Sequence, residues 1–586
     1  MKKALWIVAL LTLIACLAVF VGCNALTGST TNTTDATDSP ATEAPETSVT
    51  ILEEDPAEDT TESFQSVQEA TGDFTIETQD GDYTVEGNVY TLTAAGTYTL
   101  SGALNGQILV NAGADAEVVI ELKGVTITCD FDSPIKVVKK GADKVEISAQ
   151  KDTENVIKDT RAEKTVDSDD QGEGAISAKC DLKLKGKGVL VVEAGYNNGI
   201  HTTKDLEVKN LSLKVIAVNN ALKGKDSVTI ESGTIVAIST KGDGIKTENT
   251  DLSNDKQRGI ITISGGTVTV YAAGDGVQAS HDAVITDGEL TIYTGSYSSY
   301  TASSATTTSY KGVKAGNELQ ISGGTLKIYY FDDGIHADYG TALVNGNTSL
   351  GNITITGGNI RIGVYSPEKT TAMGGMVRGG GPGGRSGSFG GFANQQTVTG
   401  SDAIHADNTL TVSGGMITVD SAYEGLEATH IVITDGTITV YATDDGINAA
   451  QKISGTPSIE ISGGYVDVTV PTNGDTDGID SNGTYTQTGG VVVVRGPGSA
   501  SGRQGGGAWA LDADRTITLS GGTLILFGGM EKTPSASGMT KTICSSSTVS
   551  AGTHTVTIGE SKYEVTLKNA TSGCVVYSAS GSAGLK

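Results

Sequence analysis

Aromatic side chains are scarce in this chain of 586 residues. Phe, Trp and Tyr make up 5% of the sequence and Trp occurs twice, whereas Gly occupies 79 positions. So little aromatic content argues against one large globular core, and so much Gly indicates a chain with many turns. The segments between the apolar runs also lack the periodicity of amphipathic helices, which argues against a βα barrel or a doubly wound sheet.

Positive charge is also in short supply. The chain has 40 Lys and Arg against 68 Asp and Glu, and residues from Asp73 onward carry about −19 of the total charge of −28. A folded domain of that charge is a poor partner for nucleic acid, whose phosphates it repels. It also repels a polyanionic polysaccharide unless a cation lies between them.

Residues 1–23 have the plan of a lipoprotein-type signal peptide. Lys2 and Lys3 precede an apolar run, Ala4–Val21, and Gly22 and Cys23 follow it. We expect Cys23 to become a lipid anchor, although an ordinary cleaved signal or an uncleaved anchor helix fits the same pattern. Each alternative predicts an extracellular protein, and the first predicts one that is anchored at the cell surface by lipid. Contact with the membrane is expected only through this N-terminal segment.

Residues 24–72 are predicted to form a disordered stalk. They contain eleven acidic residues and no Lys or Arg, mixed with Thr, Ser, Ala and Pro. A segment of this composition buries too little apolar area to fold.

Four cysteines follow the leader: Cys129, Cys180, Cys544 and Cys574. Their spacing is not that of a zinc site. In an exported protein these residues could form two disulfides, Cys129–Cys180 and Cys544–Cys574, or they could remain as four buried free thiols.

One phrase recurs along the chain: an acidic or amide residue, then Gly or Ala, then Ile, Leu or Val. Its copies, including two that depart from the pattern at their first position, begin at Asn198, Asn220, Asp243, Asp275, Lys311, Asp333, Asp402, Glu424, Asp445, Asp477 and Trp509. A second phrase, such as Ser264-Gly265-Gly266, lies within runs that alternate apolar and polar residues, which is the period of a β-strand. Each unit therefore predicts short strands separated by turns. Stacking such units buries the face that one unit alone cannot bury.

The shortest spacing between copies is about 22 residues. We therefore predict an all-β fold, a right-handed single-stranded parallel β-helix, which is a solenoid with coils of about that length. It is expected to span residues 73–541 and to carry Gly-rich loop insertions, such as residues 366–400. Residues 542–586 are expected to form a C-terminal β cap.

Stacking would place the first residue of each phrase in one row, about 4.8 Å apart. Two carboxylates at that distance repel by roughly 1 kcal/mol in water and by about 3–4 kcal/mol at an effective dielectric near 20. Exposure to water, hydrogen bonds from the turn amides or a bound cation would each relieve this repulsion, and Asp before Gly is also ordinary turn chemistry. Because the donors are hard oxygens, Ca²⁺ is the expected cation. The predicted metal ligands are Asp243, Asp275, Asp333, Asp402, Glu424, Asp445 and Asp477.

Two His–Asp pairs lie just past the apolar residue of neighbouring units. His336 and Asp338 are two positions apart on one strand, and His405 and Asp407 repeat the pattern on the next. Side chains two positions apart share a face of a strand. We predict that the four side chains bind a metal or hydrogen-bond sugar hydroxyls, with an exposed polar row as the structural alternative.

Aromatic residues outside the regular strands are predicted to contact sugar, because the apolar face of a sugar stacks on a ring. Trp509 is the only Trp after the leader. Loop anchoring is the alternative role for these side chains. Together with the two histidines, the predicted carbohydrate-binding residues are Tyr297, Tyr300, Tyr310, Tyr330, His336, His405 and Trp509.

A polysaccharide lyase of this architecture would need a base. Lys or Arg beside calcium would remove a proton α to a uronate carboxylate. Lys246, near Asp243 and Asp275, is the residue that fits this role. No Ser/His/Asp hydrolase motif is present in the sequence, and no other catalytic residue is predicted.

The ordered combination of these features resembles the bacterial cell-surface carbohydrate-binding β-helix proteins, which are similar in fold to polysaccharide lyases. The features are the lipobox at Cys23, the acidic stalk, the Asp-Gly-Ile and Ser-Gly-Gly-Thr phrases, the Gly-rich insertion and the opening stretches Ala95–Gly102 and Val118–Thr128. The resemblance covers roughly residues 75–570. It implies calcium sites and binding of plant cell-wall glycans, cellulose and pectic acid, and it leaves catalysis open.

Three function hypotheses follow. The first is a non-catalytic, Ca²⁺-assisted binder of plant cell-wall-type polysaccharide (cellulose or a polygalacturonate-like chain), monomeric and without a nucleic-acid partner. The second is a Ca²⁺-dependent, pectate-type lyase, and the third is a structural or adhesive surface protein. The sequence favours the first over the second, because no Lys or Arg cluster accompanies the acids from Asp333 to Asp477.

Overall fold

The computed structural model describes residues 64, 67–165, 170–253, 255–294, 310–342, 348–364, 401–472, 476–499 and 507–586. All of them belong to one compact unit, Thr47–Lys586. The predicted leader with Cys23, nearly all of the predicted stalk, the Gly-rich segment 366–400, Tyr297 and Tyr300 lie outside the described residues. The named elements of the described part are all β-strands. No helix in that part is long and apolar enough to cross a membrane.

The strands fall into an opening group, two groups of stacked repeats and a closing group. The opening strands are β1 Thr75–Gln79, β2 Tyr83–Glu86, β3 Val89–Leu92, β4 Gly96–Asn105, β5 Gln107–Val110, β6 Glu117–Cys129, β7 Ile135–Val137, β8 Lys144–Ala149 and β9 Glu154–Asp159. The first repeats contain β10 Gly174–Ala178, β11 Asp181–Gly186, β12 Val189–Ala194, β13 Asn198–Thr202, β14 Asp205–Lys209, β15 Leu211–Ala217, β16 Leu222–Gly224, β17 Ser227–Ile230, β18 Gly233–Ser239, β19 Ile245–Lys246, β20 Leu252–Ser253, β21 Lys256–Gln257, β22 Ile260–Ala272, β23 Val277–Ala279 and β24 Ala283–Thr294.

The later repeats contain β25 Val313–Ala315, β26 Glu318–Ile321, β27 Thr325–Tyr330, β28 Ile335–Ala337, β29 Tyr339–Ala342, β30 Thr348–Leu350, β31 Asn352–Ile355, β32 Asn359–Val364, β33 Asp402–Ala422, β34 Glu424–Ala442, β35 Ile447–Ala449, β36 Ser458–Ile461, β37 Tyr465–Thr469, β38 Ile479–Ser481, β39 Thr484–Gln487, β40 Val491–Arg495, β41 Gly498–Ser499, β42 Ala508–Trp509, β43 Thr516–Leu519, β44 Thr523–Phe527 and β45 Ser535–Ala536. The closing strands are β46 Thr540–Ser545, β47 Gly552–Ile558, β48 Ser561–Leu567, β49 Cys574–Ser578 and β50 Ala583–Leu585.

Hydrogen bonds join the strands of successive repeats in parallel. Along the row of strands that follows the acidic turn, Val277 pairs with both Ile245 and Val313. Further along the same row, Ile335 pairs with Ile404 although the Gly-rich segment lies between them in sequence. Two further rows form in the same way, through β14, β17 and β22 and through β15, β18 and β22. Insertions therefore change the sequence spacing between repeats without shifting the register of the paired strands.

The predicted right-handed, single-stranded parallel β-helix is wrong as the fold class. That prediction required short strands with a turn at each Gly pair, but β22 and β33 run through Gly265-Gly266 and Gly414-Gly415 without ending. The second Gly of each pair has a positive φ, 89° at Gly266 and 84° at Gly415, so the strand bends while its pairing continues. The hydrogen bonding joins 41 strands into one sheet, in which 10 parallel strands close into a barrel and further strands lie outside it.

Aliphatic side chains fill the inside of this sheet. Ile335, Ile404, Leu426 and Ile447 stack in register, and each is fully buried in the same core. Burying one such side chain contributes about 1.5–3 kcal/mol. Side chains alternate across a strand, so the residue after each of these aliphatic residues faces outward. The core therefore fixes where the outward polar row, which includes His336, must lie.

Antiparallel strands cover both ends of the large sheet. At the start, β1 pairs with β4 and β2 pairs with β3. At the end, β49 pairs with β44 and β46, and β47, β48 and β50 form a separate three-stranded sheet. Covered edges do not offer free backbone groups to another chain.

The four cysteines of the described part are free thiols. Those of Cys544 and Cys574 contact each other, so this pair is the one of the two predicted disulfides that the fold brings together. Burial raises the pKa of Cys180 to about 12, which keeps that thiol protonated.

Gly446, the small residue in one copy of the recurrent phrase, is predicted to be required for close packing. A Cβ at Gly446 would lie 2.2 Å from Val468 Cγ1 and 2.5 Å from the carbonyl oxygen of Gly478. We expect Gly446→Ala to lower the free energy of unfolding by about 1–3 kcal/mol, because the crowded core must shift to accept a methyl group. Urea unfolding followed by circular dichroism measures the change. Gly584→Ala is the matched control, since nothing lies within 4 Å of its Cβ position, and equal midpoints for the two variants would contradict the prediction.

Candidate functional site

The residues that precede the small residue of each phrase form a row along one turn of the sheet, here called the corner row. The backbone N–H of Asp275 donates to Asp243 Oδ1 at 2.9 Å, and the N–H of Asp402 donates to Asp333 Oδ1 at 3.0 Å. The N–H of Asp477 donates to Asp445 Oδ1 at 2.7 Å. Each of these carboxylates thus caps the backbone of the next repeat, which is why a short side chain with an oxygen recurs at this position.

Amide side chains perform the same capping in the first repeats. Asn198 Oδ1 accepts from the N–H of Asn220 at 3.3 Å, and Asn220 Oδ1 accepts from the N–H of Asp243 at 3.1 Å. Asp275 Oδ1 accepts from the N–H of Lys311 at 2.8 Å. The corner row is therefore a structural device first, and it leaves the second oxygen of each Asp for other partners.

Near the middle of the sheet, acids of the corner row meet two histidines. We define the histidine cluster as Asp333, His336, Asp338, Asp402, His405, Asp407 and Glu427. His336 and His405 pair in register on neighbouring repeats, and their rings stack with centroids 4.7 Å apart. This confirms that the two predicted His–Asp pairs lie together on one face of the sheet.

Every ring nitrogen of the two histidines lies against a carboxylate. His336 Nδ1 is 2.8 Å from Asp333 Oδ2, and its Nε2 is 2.9 Å from Asp338 Oδ1. His405 Nε2 is 3.1 Å from Asp407 Oδ1. A neutral imidazole has one N–H, so it cannot donate at both nitrogens. Such a ring must therefore be protonated, or a cation or a protonated carboxyl must take part.

His405 Nδ1 contacts two carboxylates, with Asp402 Oδ2 at 2.7 Å and Glu427 Oε2 at 2.8 Å. Burial lowers the pKa of His405, but its hydrogen bonds to Asp402, Asp407 and Glu427 outweigh burial and raise that pKa to about 12. Burial, and repulsion from Asp333 and Glu427, raise the pKa of Asp402 well above its usual range, against the hydrogen bond from His405. The cluster therefore concentrates more carboxylates than its imidazoles can satisfy.

Lysines supply the remaining positive charge around the histidine cluster. Lys311 Nζ contacts Asp333 Oδ2 and lies 2.9 Å from Asp332 Oδ2. Lys314 Nζ is 3.2 Å from Asp338 Oδ2, and Lys452 Nζ is 2.7 Å from Glu427 Oε1.

Beyond the histidine cluster, the later repeats carry a second group of acids. We define the acidic cluster as Asp445, Asp477, Asp480, Asp512 and Glu531. Burial, together with the neighbouring carboxylates of Asp444, Asp480 and Asp477, raises the pKa of Asp445 to about 9, against the hydrogen bond from Asp477 N–H. Burial followed by carboxylate neighbours also raises the pKa of Asp480 to about 6 and of Asp512 to about 7. Carboxylates thus face carboxylates here.

Glu424 connects the two clusters. It pairs in register with Asp402, and its Oε2 accepts from Asn448 Nδ2 at 3.0 Å. Burial and repulsion from Glu427 raise the pKa of Glu424 to about 7.

Lys246, the candidate lyase base, lies among the earlier repeats. Its Nζ is 2.7 Å from Asp243 Oδ2, and it pairs in register with Lys223, whose Nζ is 2.6 Å from Glu248 Oε1. The ion pair occupies the amine that the lyase hypothesis requires as a base. Asp243 is therefore engaged by a hydrogen bond at one oxygen and by an ammonium group at the other.

The predicted aromatic contacts are divided between surface and interior. Tyr310 is buried and packs edge to face on Phe331, with centroids 5.5 Å apart. Tyr330 lies in the main core, so we leave it out of the proposed binding surface. Trp509 is half-buried beside the acidic cluster, where its backbone N–H donates to Asp477 Oδ1 at 2.5 Å.

A row of stacked tyrosines was not predicted from the sequence. Tyr293 stacks on Tyr271 at 5.0 Å and on Tyr329 at 4.7 Å, with nearly parallel rings. The strict alternation before them places these rings on the face opposite the main core, where they form a separate buried cluster. The period of the strands was therefore the sequence signal that could have predicted this row. Glu427 was also missed, although the position after the apolar residue in the next copy of the phrase would have placed it beside His405.

In-register rows of carboxylates and imidazoles on an all-β sheet give the described part of this protein an extended polar surface. The carbohydrate-binding domain-containing protein family matches residues 86–363, 346–446 and 396–573. The chain belongs to this family.

The individual relatives cover less of the chain. A carbohydrate-binding domain-containing protein of Acetivibrio thermocellus is 39% identical over 128 residues, which is 22% of this chain and 44% of the relative. The chain thus spans less than half the length of that relative. The solved structure of a polysaccharide lyase-like protein from C. thermocellum, a gadolinium derivative, is 35% identical and covers 36% of this chain and 84% of that one, with a TM-score of 0.33. A score this low leaves a polysaccharide lyase-like fold unconfirmed.

The capping role of the corner row predicts different effects for two variants of Asp445. Asp445→Ala removes the acceptor of the Asp477 N–H, and we expect it to cost about 1–2 kcal/mol of unfolding free energy. Asp445→Asn keeps an Oδ1 acceptor, as Asn198 and Asn220 do, so its effect should stay within about 0.5 kcal/mol. Urea unfolding in EGTA measures both. If Asn were as harmful as Ala in EGTA, the cap would not be the reason for an acid at this position.

Proposed function

We propose that this protein is a non-catalytic polysaccharide-binding protein that acts outside the cell. The observation that carries the proposal is the family match over residues 86–573, which includes the repeats that bear the histidine and acidic clusters. The relative from Acetivibrio thermocellus, which bears the same family description, supports it over a shorter range.

The acidic cluster is the proposed binding surface, with Ca²⁺ as the bridging cation. Its donors are all carboxylate oxygens, the ligand type that Ca²⁺ prefers. Asp512 Oδ1 is buried and has no hydrogen-bond partner among the described residues, as a carboxylate prepared for a cation would be. Asp512, whose neighbours include Asp480 and Glu531, is the carboxylate proposed to bind the ion. When bound, Ca²⁺ supplies coordination positions for sugar hydroxyl or carboxylate oxygens and offsets the charge of the acids.

Two features of the surrounding surface suit a polysaccharide. Trp509, beside Asp477, offers a partly exposed ring on which the apolar face of a sugar would stack. The repeats also present their polar side chains at the regular spacing of paired strands, so several units of one glycan chain can be contacted together. We propose that a polygalacturonate-like glycan binds through Ca²⁺ and that cellulose binds through Trp509 and hydroxyl contacts.

The N-terminal segments and the net charge indicate where the protein acts and on what class of partner. The N-terminal segment with its candidate lipid anchor at Cys23 and the acidic segment 24–72 support attachment to the cell surface by lipid. The net negative charge supports a carbohydrate rather than a nucleic acid as partner.

The test is a pull-down of the full chain on insoluble cellulose and on calcium-gelled polygalacturonate, with Ca²⁺ and with EGTA. Absorbance from released unsaturated uronate is read in the same samples. We expect retention on polygalacturonate that EGTA abolishes, with no rise in absorbance. Asp512→Asn should weaken Ca²⁺-dependent retention at least about tenfold, because it removes a carboxylate from the proposed ion site.

The matched control is Asp287→Asn, at an exposed position within β24 where an amide oxygen can still accept from Gly288 N–H. It should bind like the unmodified protein. Rising absorbance would identify a lyase and direct attention to Lys246. Absence of binding to both glycans, in either buffer, would reject the proposed function.

A further inference from the structure

Within the histidine cluster, one imidazole nitrogen contacts two carboxylates, although a single N–H needs only one acceptor. His405 Nδ1 contacts Asp402 Oδ2 at 2.7 Å and Glu427 Oε2 at 2.8 Å. The Asp402 and Glu427 carboxyl groups also lie within hydrogen-bond reach of each other. One proton on Nδ1 cannot serve both carboxylates fully, so one of the two acceptors is left incompletely satisfied.

Asp402 departs from the pattern of the corner row. At Asp243, Asp333 and Asp445, Oδ1 accepts the N–H of the next repeat. Asp402 is 3% exposed, and its Oδ1 is buried without a hydrogen-bond partner among the described residues. Its charged neighbours on both sides include the carboxylates of Asp333 and Glu427. An unpartnered buried carboxylate oxygen among acids requires a donor or a cation.

We propose that Asp402, His405 and Glu427 form a binding site for a divalent first-row transition metal ion, represented by Zn²⁺. Imidazole nitrogen combined with carboxylate oxygen is a donor set for Zn²⁺ and its neighbours, whereas Ca²⁺ takes oxygen ligands only. One ligand atom from each of the three residues can be chosen so that all lie within 4.8 Å of one another. Neighbouring ligands of a tetrahedral zinc ion are separated by roughly 3.3 Å, so the short contacts open by about 0.5 Å.

Neighbouring residues hold the three ligands in the orientation that a metal needs. Asp407 Oδ1 lies 3.1 Å from His405 Nε2, which directs Nδ1 toward Asp402 and Glu427. A carboxylate behind the metal-binding ring is the usual support of a zinc-bound histidine. Lys452 Nζ holds Glu427 Oε1 at 2.7 Å, leaving Oε2 beside His405.

Metal binding here is an exchange for a proton. Zn²⁺ forms bonds to His405 Nδ1 and to one oxygen each of Asp402 and Glu427, and the proton on Nδ1 passes to water. Three protein ligands leave a fourth position for water or for a ligand oxygen. The site is separate from the all-oxygen acidic cluster and takes a different class of ion, so it does not depend on the proposed glycan function.

The experiment is a calorimetric titration of the full chain, without an added histidine tag, with Zn²⁺ after removal of metals by EDTA. We expect one tight site per chain and proton release that depends on the buffer. Co²⁺ should give the visible absorption of a tetrahedral site with nitrogen and oxygen ligands. Millimolar Ca²⁺ should not displace either ion.

Variants assign the ion to its ligands. His405→Gln and Glu427→Gln should each weaken Zn²⁺ binding at least a hundredfold, and Asp407→Asn about tenfold as the loss of a positioning residue. His430→Gln is the matched control, because His430 lies on the same sheet with Nδ1 3.1 Å from Ser458 Oγ and outside the cluster. His430→Gln and Asp512→Asn should bind Zn²⁺ normally.

Circular dichroism of each variant shows whether it is folded, and the Co²⁺ spectrum of the unmodified chain tests the site without any substitution. Failure of the unmodified chain to bind Zn²⁺ tightly, or unchanged binding in folded His405→Gln, would overturn the proposal. Loss of glycan binding with Zn²⁺ binding intact would reject the proposed function alone.

Discussion

The polar surface depends on one kind of hydrogen bond. At the turn, the backbone N–H of one repeat donates to a side-chain oxygen of the previous repeat. Parallel pairing stacks the repeats, and this bond decides which residue type stands at the turn. A short side chain with an oxygen is required there, and Asp satisfies the requirement at the cost of a charge. The fold therefore creates a row of carboxylates at the spacing of neighbouring strands, before any ligand is considered.

The repulsion between these carboxylates is relieved in three ways along the length of the sheet. Lysine neutralises the early acids, as Lys246 does for Asp243 and Lys311 for Asp333. Histidine serves the middle repeats, where the rings of His336 and His405 stack between carboxylates. In the last repeats carboxylates face one another, and their pKa values rise. Repulsion of about 3–4 kcal/mol per pair at an intermediate dielectric explains why some response is needed in every repeat.

How much the sequence could predict depended on whether a feature was local or set by the closed sheet. The recurrent phrase brought His336 next to His405 correctly, because register survives the long insertion between them. The second phrase led to the wrong fold class, because Gly414-Gly415 indicates a turn while β33 continues through it. Tyr330 was assigned to the surface although it is buried, since in the run of Ile, Tyr, Tyr and Phe the inward and outward positions cannot be told apart by hydrophobicity. Contacts such as Lys452 with Glu427 depend on side-chain reach across repeats, and the sequence gives no signal for that.

The change from amide to acid along the corner row bears on function. Asn198 and Asn220 show that an amide oxygen caps the next repeat as well as a carboxylate does. The charge of Asp445 is therefore not required by the cap, and burial opposes it. A charge that the fold does not need, placed where its neighbours are also acids, is unfavourable unless the carboxyl is protonated or a cation is bound there. The acids of the last repeats are therefore better candidates for binding a cation than those of the first repeats. The donor atoms also distinguish the two proposed sites: the His405 nitrogen would favour a transition metal, and the all-oxygen cluster would favour Ca²⁺.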